Sequence, residues 1–331
     1  MWQERKDFFE ILKMLTWDRC WNLFLLWFSY FFSIVFKIPK VWSAPFSVSI
    51  EPTTKCNLYC AECITGTRRL TRPQGAINPD FFRKIIDEIY KKTFYLNLYL
   101  QGEPFLHPHL LEMATFAVKK KMFVCISTNG HFLDDEICLS IVKSGIQKII
   151  ISVDGASEEN YKKYRRGGDF MKVKKGIKTL STAKKKFNSK YPELVMQMLV
   201  NKYNEREIPI VKQLMVEMGA DRLELKSMQI YNDYSFLPAS PKYRRYIKDK
   251  QGKISIKNKL HNRCFRLWSN EVVTWDQKLI PCCYDKNAEH EIENIQQFPF
   301  IELWKSNEFQ IFRSSVLKNR KSIEICRNCT V

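Results

Sequence analysis

From Phe46 onward, short apolar runs alternate with longer segments whose apolar positions recur every third or fourth residue. The runs Phe46–Glu51, Tyr95–Leu100, Phe123–Ser127, Lys148–Val153, Leu194–Val200 and Arg222–Lys226 predict six strands. The segments near Asp80–Lys92, His109–Lys121, Asp134–Ser144, Glu158–Phe187 and Ile208–Gly219 predict the helices between them. Such alternation implies a parallel sheet with both faces covered. Six units are fewer than the eight of a closed barrel, so the pattern predicts an α/β fold, a partial (β/α)6 barrel.

The flanks read differently. In residues 1–45, Phe8, Ile11, Leu12 and Leu15 make one apolar helical face among Glu4, Lys6, Glu10 and Lys13. Cys20 to Phe36 then runs seventeen residues without a charge, bounded by Arg19 and Lys37, which is the short limit for a membrane span. Asn22, Ser29 and Ser33 fall on one stripe of that helix. Three readings stay open: packing on the barrel, lying in a membrane interface, or spanning the bilayer. Mixed charge before the segment and the lack of an A-x-A-like site argue against a secretory signal. Past Lys226 the pattern breaks. Asp233–Lys259 is polar, rich in Tyr and Lys, and carries Pro238 and Pro241. The resulting division is a leader over 1–45, a barrel over 46–232, a linker or bridging segment over 233–260 and a small cysteine-bearing region over 261–331.

Composition narrows the setting. Eleven cysteines, an odd number in a 331-residue chain, favour a reducing, cytoplasmic environment and metal ligation over disulfides. Net charge is +19. The densest basic stretch, Lys172–Lys178 with Lys184–Lys186, carries Val173, Ile177 and Leu180 at helical spacing, so it reads as the wet face of an amphipathic helix. Attraction to anionic lipid or a phosphorylated substrate is the other reading, and the leader adds possible association with a membrane surface. Nothing has the aromatic pattern of a nucleic-acid module, so no nucleic-acid partner is expected.

Candidate chemistry concentrates after the strands. Cys56-Asn-Leu-Tyr-Cys60-Ala-Glu-Cys63 can hold three irons of a 4Fe–4S cluster and leave the fourth open. Structural zinc prefers cysteine pairs with a fourth ligand, which this loop lacks nearby. Gln101-Gly-Glu-Pro104, Ser127-Thr-Asn-Gly130 and Ser152-Val-Asp-Gly155 follow later strands, where parallel barrels place their active sites. Together these motifs resemble the radical S-adenosylmethionine (SAM) enzymes, over about residues 46–331. The resemblance implies a TIM-like partial barrel in which SAM chelates the open iron and an electron donor such as flavodoxin or ferredoxin reduces the cluster. SAM is then cleaved to a 5′-deoxyadenosyl radical that takes hydrogen from the substrate. It also implies that Gly102 and Glu103 hold the SAM amino group, and that Ser127, Asn129, Ser152 and Asp154 line the cofactor. Arg165 approaches the SAM carboxylate or the substrate in this resemblance, while a solvated helix end is its plainer reading. The sequence departs from the family at Glu62, where an aromatic residue is common, so adenine contacts there are in doubt.

A second set, Cys264, Cys282, Cys283, Cys326 and Cys329, resembles a shortened SPASM domain of the twitch type. Gln277 stands where that domain has glycine. The resemblance implies one auxiliary 4Fe–4S cluster on Cys264, Cys282, Cys326 and Cys329, with Cys283 competing for the second place; a zinc site on the same residues stays open. A single auxiliary cluster is similar to that of SAM-dependent dehydrogenases, which implies oxidation of a secondary alcohol in a sugar-like or aminocyclitol substrate. The alternatives are a maturase that modifies a peptide or protein and, from another class, a non-catalytic two-cluster electron-transfer protein. Gln197, Lys226, Gln229 and Tyr231 are candidate substrate contacts.

Overall fold

The computed structural model describes residues 9–330 apart from Asn232, Gln296 and Gln297. The leader positions Glu4, Lys6 and Phe8 lie outside the described residues.

The six expected strands form: β1 (Ser47–Ile50), β2 (Tyr95–Asn97), β3 (Phe123–Thr128), β4 (Lys148–Ser152), β5 (Glu193–Val200) and β6 (Arg222–Ser227). Each pairs in parallel with the next. The crossovers include Pro79–Ile89, which starts with Pro at its first position and with Asn78 accepting from Asp80 and Phe81 N–H. Glu158–Tyr164 and Phe170–Lys186 are separate helices, parted at Gly167, whose φ is 79°. On Phe170–Lys186 the buried face is Val173, Ile177 and Leu180, and lysines take the wet side. Helix-facing strand residues such as Val124, Ile126, Ile149, Ile151, Leu194 and Met196 build the main core.

The C-terminal region does more than sit beside the barrel. Its strand β9 (Asn270–Val273) pairs in parallel with β1, Ser47 opposite Asn270. Strands β10 (Lys278–Ile280) and β11 (Glu293–Asn294) continue outward, antiparallel. One nine-stranded sheet results, ordered β11-β10-β9-β1-β2-β3-β4-β5-β6. The expected linker carries a hairpin, β7 (Tyr246–Lys248) with β8 (Ile254–Ile256). Buried Arg72 also ties the two halves. It makes a two-bond pair with Glu51 at 2.8 Å each, reaches Asp276 at 3.3 Å, and donates to Lys286 O at 2.9 Å.

The leader clamps both halves. Helix α1 (Trp17–Phe36) turns Arg19, Asn22, Leu26, Ser29 and Ser33 inward. Asn22 bonds the N–H and C=O of Ala44. Trp268, fully buried, donates to Ser33 Oγ and Lys40 O, and Trp304 donates to Ser43 O. Truncating either indole to Ala would cost about 3–5 kcal/mol.

Candidate active site

Side chains two apart on a strand share a face, so Phe123, Cys125 and Ser127 line one inner column. That column changes character along its length. At its base, Phe123, Cys125, Ile150 and Val195 form an apolar plug against Ile11 and Met14 of the leader. At its top it opens onto a cavity of about 150 Å³. Cys56, Cys60, Cys63, Gly102, Glu103, Ser127, Asn129, Ser152 and Arg165 all line this cavity.

The cysteine loop is docked by its backbone. Tyr59 N–H donates to Arg166 O and Ala61 N–H to Tyr164 O, at 2.9 and 3.0 Å. Burial pushes the Cys60 thiol up to about 12, against the Arg165 guanidinium, whose Nη1 lies 3.7 Å from its sulfur. Burial raises Cys56 as well. All described cysteines are free. A buried thiol of this kind becomes a thiolate when a metal replaces its proton. Among the described residues no three metal-binding side chains converge on a single-ion site. A four-iron cube takes each thiolate on a different iron, so its ligands stand further apart, and this donor set fits it.

Against the backbone that leads into the cysteine loop, Gly102 turns the chain at φ 75°, where a Cβ would lie 2.3 Å from Thr53 O. Glu103 follows, 2% exposed. Its Oε1 accepts from Phe105 N–H and Thr128 Oγ1, and its Oε2 accepts from Asn129 N–H at 2.7 Å. A carboxylate has about four acceptor sites, so these three bonds leave one, on Oε2. Burial raises the Glu103 carboxyl above its ordinary value, against the Asn129, Thr128 and Phe105 donors. A cation bound there would favour the carboxylate. Asn129 Nδ2 donates to Asn57 Oδ1 at 2.7 Å, joining the strand-end motif to the cysteine loop.

One expected position needs correction. Asp154 does not line the cavity: it is 0% exposed, and its oxygens accept from Arg165 Nε at 2.5 Å and Leu199 N–H at 2.6 Å. Its bond to Nε positions Arg165. Glu62 accepts from the N–H groups of Tyr231 and Asp233, at 2.7 and 3.0 Å, so it anchors the segment after β6. Tyr59 is 49% exposed under the Arg68 guanidinium, outside the cavity lining.

The second cysteine set gathers around two arginines, Arg320 and Arg266. Arg320, 2% exposed, donates from Nη2 to Cys329 Sγ at 3.2 Å, and its charge bears on Cys264 and Cys326 too. Burial raises Cys264 and takes Cys326 up to about 11. Cys282 is within electrostatic reach of Cys264 and is hydrogen-bonded to Cys283. Cys283 behaves differently: the bond from Cys282 lowers it against burial, helped by Arg266 and Lys286. Arg266 Nη1 lies 3.6 Å from its sulfur. Thiols set against two guanidiniums suit an anionic cluster.

Sequence reasoning missed Tyr99 and Lys286. Tyr99 lines the cavity, its hydroxyl raised by burial. Lys286 is lowered by burial and lies within electrostatic reach of both Cys63 and Cys283, 4.6 Å from the Tyr231 ring. The only signal was its place three residues after Cys283. Gln229 and Tyr231 do meet a groove of about 260 Å³ that also takes in Ile64, Tyr284, Lys286, Glu289 and Asn328. Gln197 and Lys226 instead face Glu224.

The chain matches the family model of the radical SAM superfamily over residues 50–214 and that of the SPASM iron–sulfur cluster-binding domain over residues 264–330. An AdoMet-dependent heme synthase of Methanosarcina barkeri is 30% identical over 179 residues, 54% of this chain and 49% of that protein. The mycofactocin maturase MftC of Mycobacterium ulcerans is 30% identical over 141 residues, 42% of this chain and 37% of that protein. The match thus spans half or less of these relatives. Among solved structures, Streptococcus suis SuiB bound to precursor peptide SuiA is similar with a TM-score of 0.63 at 12% identity, covering 90% of this chain and 73% of that one. BtrN in complex with AdoMet and 2-DOIA gives 0.52 at 16% identity, covering 87% and 94%. At these identities the likeness shows the fold.

Proposed function

This chain belongs to the radical SAM superfamily and carries a SPASM-type iron–sulfur domain, and from that premise we propose that it modifies a peptide or protein substrate by removing hydrogen from it. Its cofactors are SAM, the 4Fe–4S cluster that binds it, and auxiliary iron–sulfur. Bound together, SAM and the reduced cluster supply a radical able to attack an unactivated C–H bond. In this reading Cys56, Cys60 and Cys63 hold the SAM-binding cluster, and Cys264, Cys282, Cys326 and Cys329 hold the auxiliary one. Glu103 takes the SAM ammonium on its open acceptor site, Gly102 lets the backbone come close, and Ser127, Asn129 and Ser152 line the wall. Arg165, oriented by Asp154, faces the carboxylate end. Flavodoxin or ferredoxin delivers the electron; a net charge of +19 favours acidic donors of that kind.

The observation that carries the substrate class is the groove beside Cys63. It lies between barrel loops and C-terminal domain, and Gln229, Tyr231, Lys286, Glu289 and Asn328 are among its lining residues. A chain segment uses such a set of donors and acceptors; a single cyclitol ring uses one enclosed pocket. The maturase among the relatives supports the same reading. The secondary-alcohol reading rests on the cluster count and on fold likeness alone.

The test is anaerobic turnover of the two-cluster protein with SAM and reductant. One arm offers short peptides encoded by neighbouring genes, the other a panel of aminocyclitols. A mass change in a peptide, with the cyclitols untouched, is expected. Cyclitol oxidation with every peptide unchanged would overturn the substrate class.

A further inference from the structure

Helix α1 is amphipathic the wrong way round for a helix packed on a soluble protein. At about 100° per residue, Trp17, Trp21, Phe24, Phe28, Phe31 and Val35 fall on one stripe, each more than half exposed. Phe31 is 67% exposed and Trp17 83%. The opposite stripe is the inward one, and it is polar apart from Leu26. An apolar stripe of this length left outside marks an interaction surface.

The inward stripe fixes how that surface can be used. Arg19 donates to the carbonyls of Met14, Lys121 and Tyr90. Asn22 holds Ala44 on both sides, Ser29 Oγ accepts from Trp42 N–H, and Ser33 Oγ accepts from Lys40 N–H. The helix is 20 residues long, enough to cross a bilayer by length. Crossing would strip those bonds and leave Asn22, Ser29 and Ser33 in hydrocarbon without their partners. Lying flat keeps every one of them and still covers the aromatics.

We propose that α1 seats the protein on an anionic membrane surface, with the stripe Trp17, Trp21, Phe24, Phe28, Phe31 and Val35 inserted at the headgroup boundary. Trp42 packs against Phe28 and Phe32 and widens the inserted face. Its rim is basic. Lys37 and Lys40 follow the helix, and Lys305 Nζ lies 3.4 Å from Trp42 O with Lys92 near it. From Trp17 to Trp42 the one acidic residue is Asp18, in the first turn. With a net charge of +19, lipid phosphates attract this face and a second copy of the chain repels it. The inference is independent of which substrate the enzyme takes.

Flotation of the full-length, cluster-loaded protein tests it. Vesicles of phosphatidylcholine mixed with phosphatidylglycerol should carry the wild type up the gradient, and pure phosphatidylcholine should carry several-fold less. The triple variant Trp21→Ser, Phe24→Ser, Phe31→Ser removes side chains that face outward and should bind at least about tenfold more weakly, with iron content and circular dichroism unchanged. High salt should release the protein. Wild type left at the bottom of the gradient, or a triple variant that floats as well, would overturn the proposal. So would a dimer in sedimentation that the triple variant abolishes, or bound protein that resists alkaline carbonate as a spanning helix does.

Discussion

The two cysteine centres differ in what stands opposite the sulfurs. The first opens onto a cavity lined by the Glu103 carboxylate, with Arg165 Nη1 3.7 Å from Cys60 Sγ. The second closes on the Arg320 guanidinium, with Cys329 5% exposed. The first therefore has room for an exchangeable ligand directly beside all three of its sulfurs, and the second sets the Arg320 and Arg266 guanidiniums against its sulfurs. In the proposed function, chemistry belongs at the first and electron storage at the second.

Removing the first centre should have the largest effect. With Cys56, Cys60 and Cys63 all changed to Ala, 5′-deoxyadenosine formation from SAM should fall to background in an anaerobic chromatographic assay, while about four irons per chain remain. The second centre should separate from it. Cys264→Ala with Cys329→Ala should also leave about four irons, keep SAM cleavage within about tenfold, and abolish modified product by mass spectrometry. Next comes Glu103→Gln, which keeps the shape and removes the charge. A charge-assisted hydrogen bond is worth about 1.5–3 kcal/mol, so SAM affinity by calorimetry should weaken roughly 10–150-fold. Because burial raises the Glu103 carboxyl, wild-type affinity should decline as pH falls, from a pH above the ordinary carboxylate range. The Gln variant should lose that dependence. The smallest change is Arg165→Lys, which keeps the charge and loses the Nε bond to Asp154. It should cost about tenfold or less in SAM affinity.

Much of this comparison was legible in the chain. Strand and helix periods are local, so β1 to β6 fall where their apolar runs lie. The strand-end motifs could be grouped because parallel strands deliver their C-terminal ends to one mouth, and the cavity lining collects Cys56, Glu103, Ser127 and Arg165 accordingly. Pairings between distant segments were not legible. Nothing near Ser47 announces Asn270 as its partner, so the joining of the C-terminal strands to the barrel sheet could not be read. Direction was hidden too. Asp154 looked like a cofactor contact because turn chemistry names the residue and not where it points. Asn22, Ser29 and Ser33 were readable as a stripe, but that the stripe faces the protein required Ala44 and Trp268.

The most direct test of the difference between the centres is electron paramagnetic resonance of two reduced variants, with and without SAM. In the Cys264→Ala, Cys329→Ala protein the remaining cluster should change its signal when SAM is added. In the Cys56→Ala, Cys60→Ala, Cys63→Ala protein the remaining signal should not move. A SAM-induced shift in the second variant, or none in the first, would contradict the assignment of the open iron to the first loop.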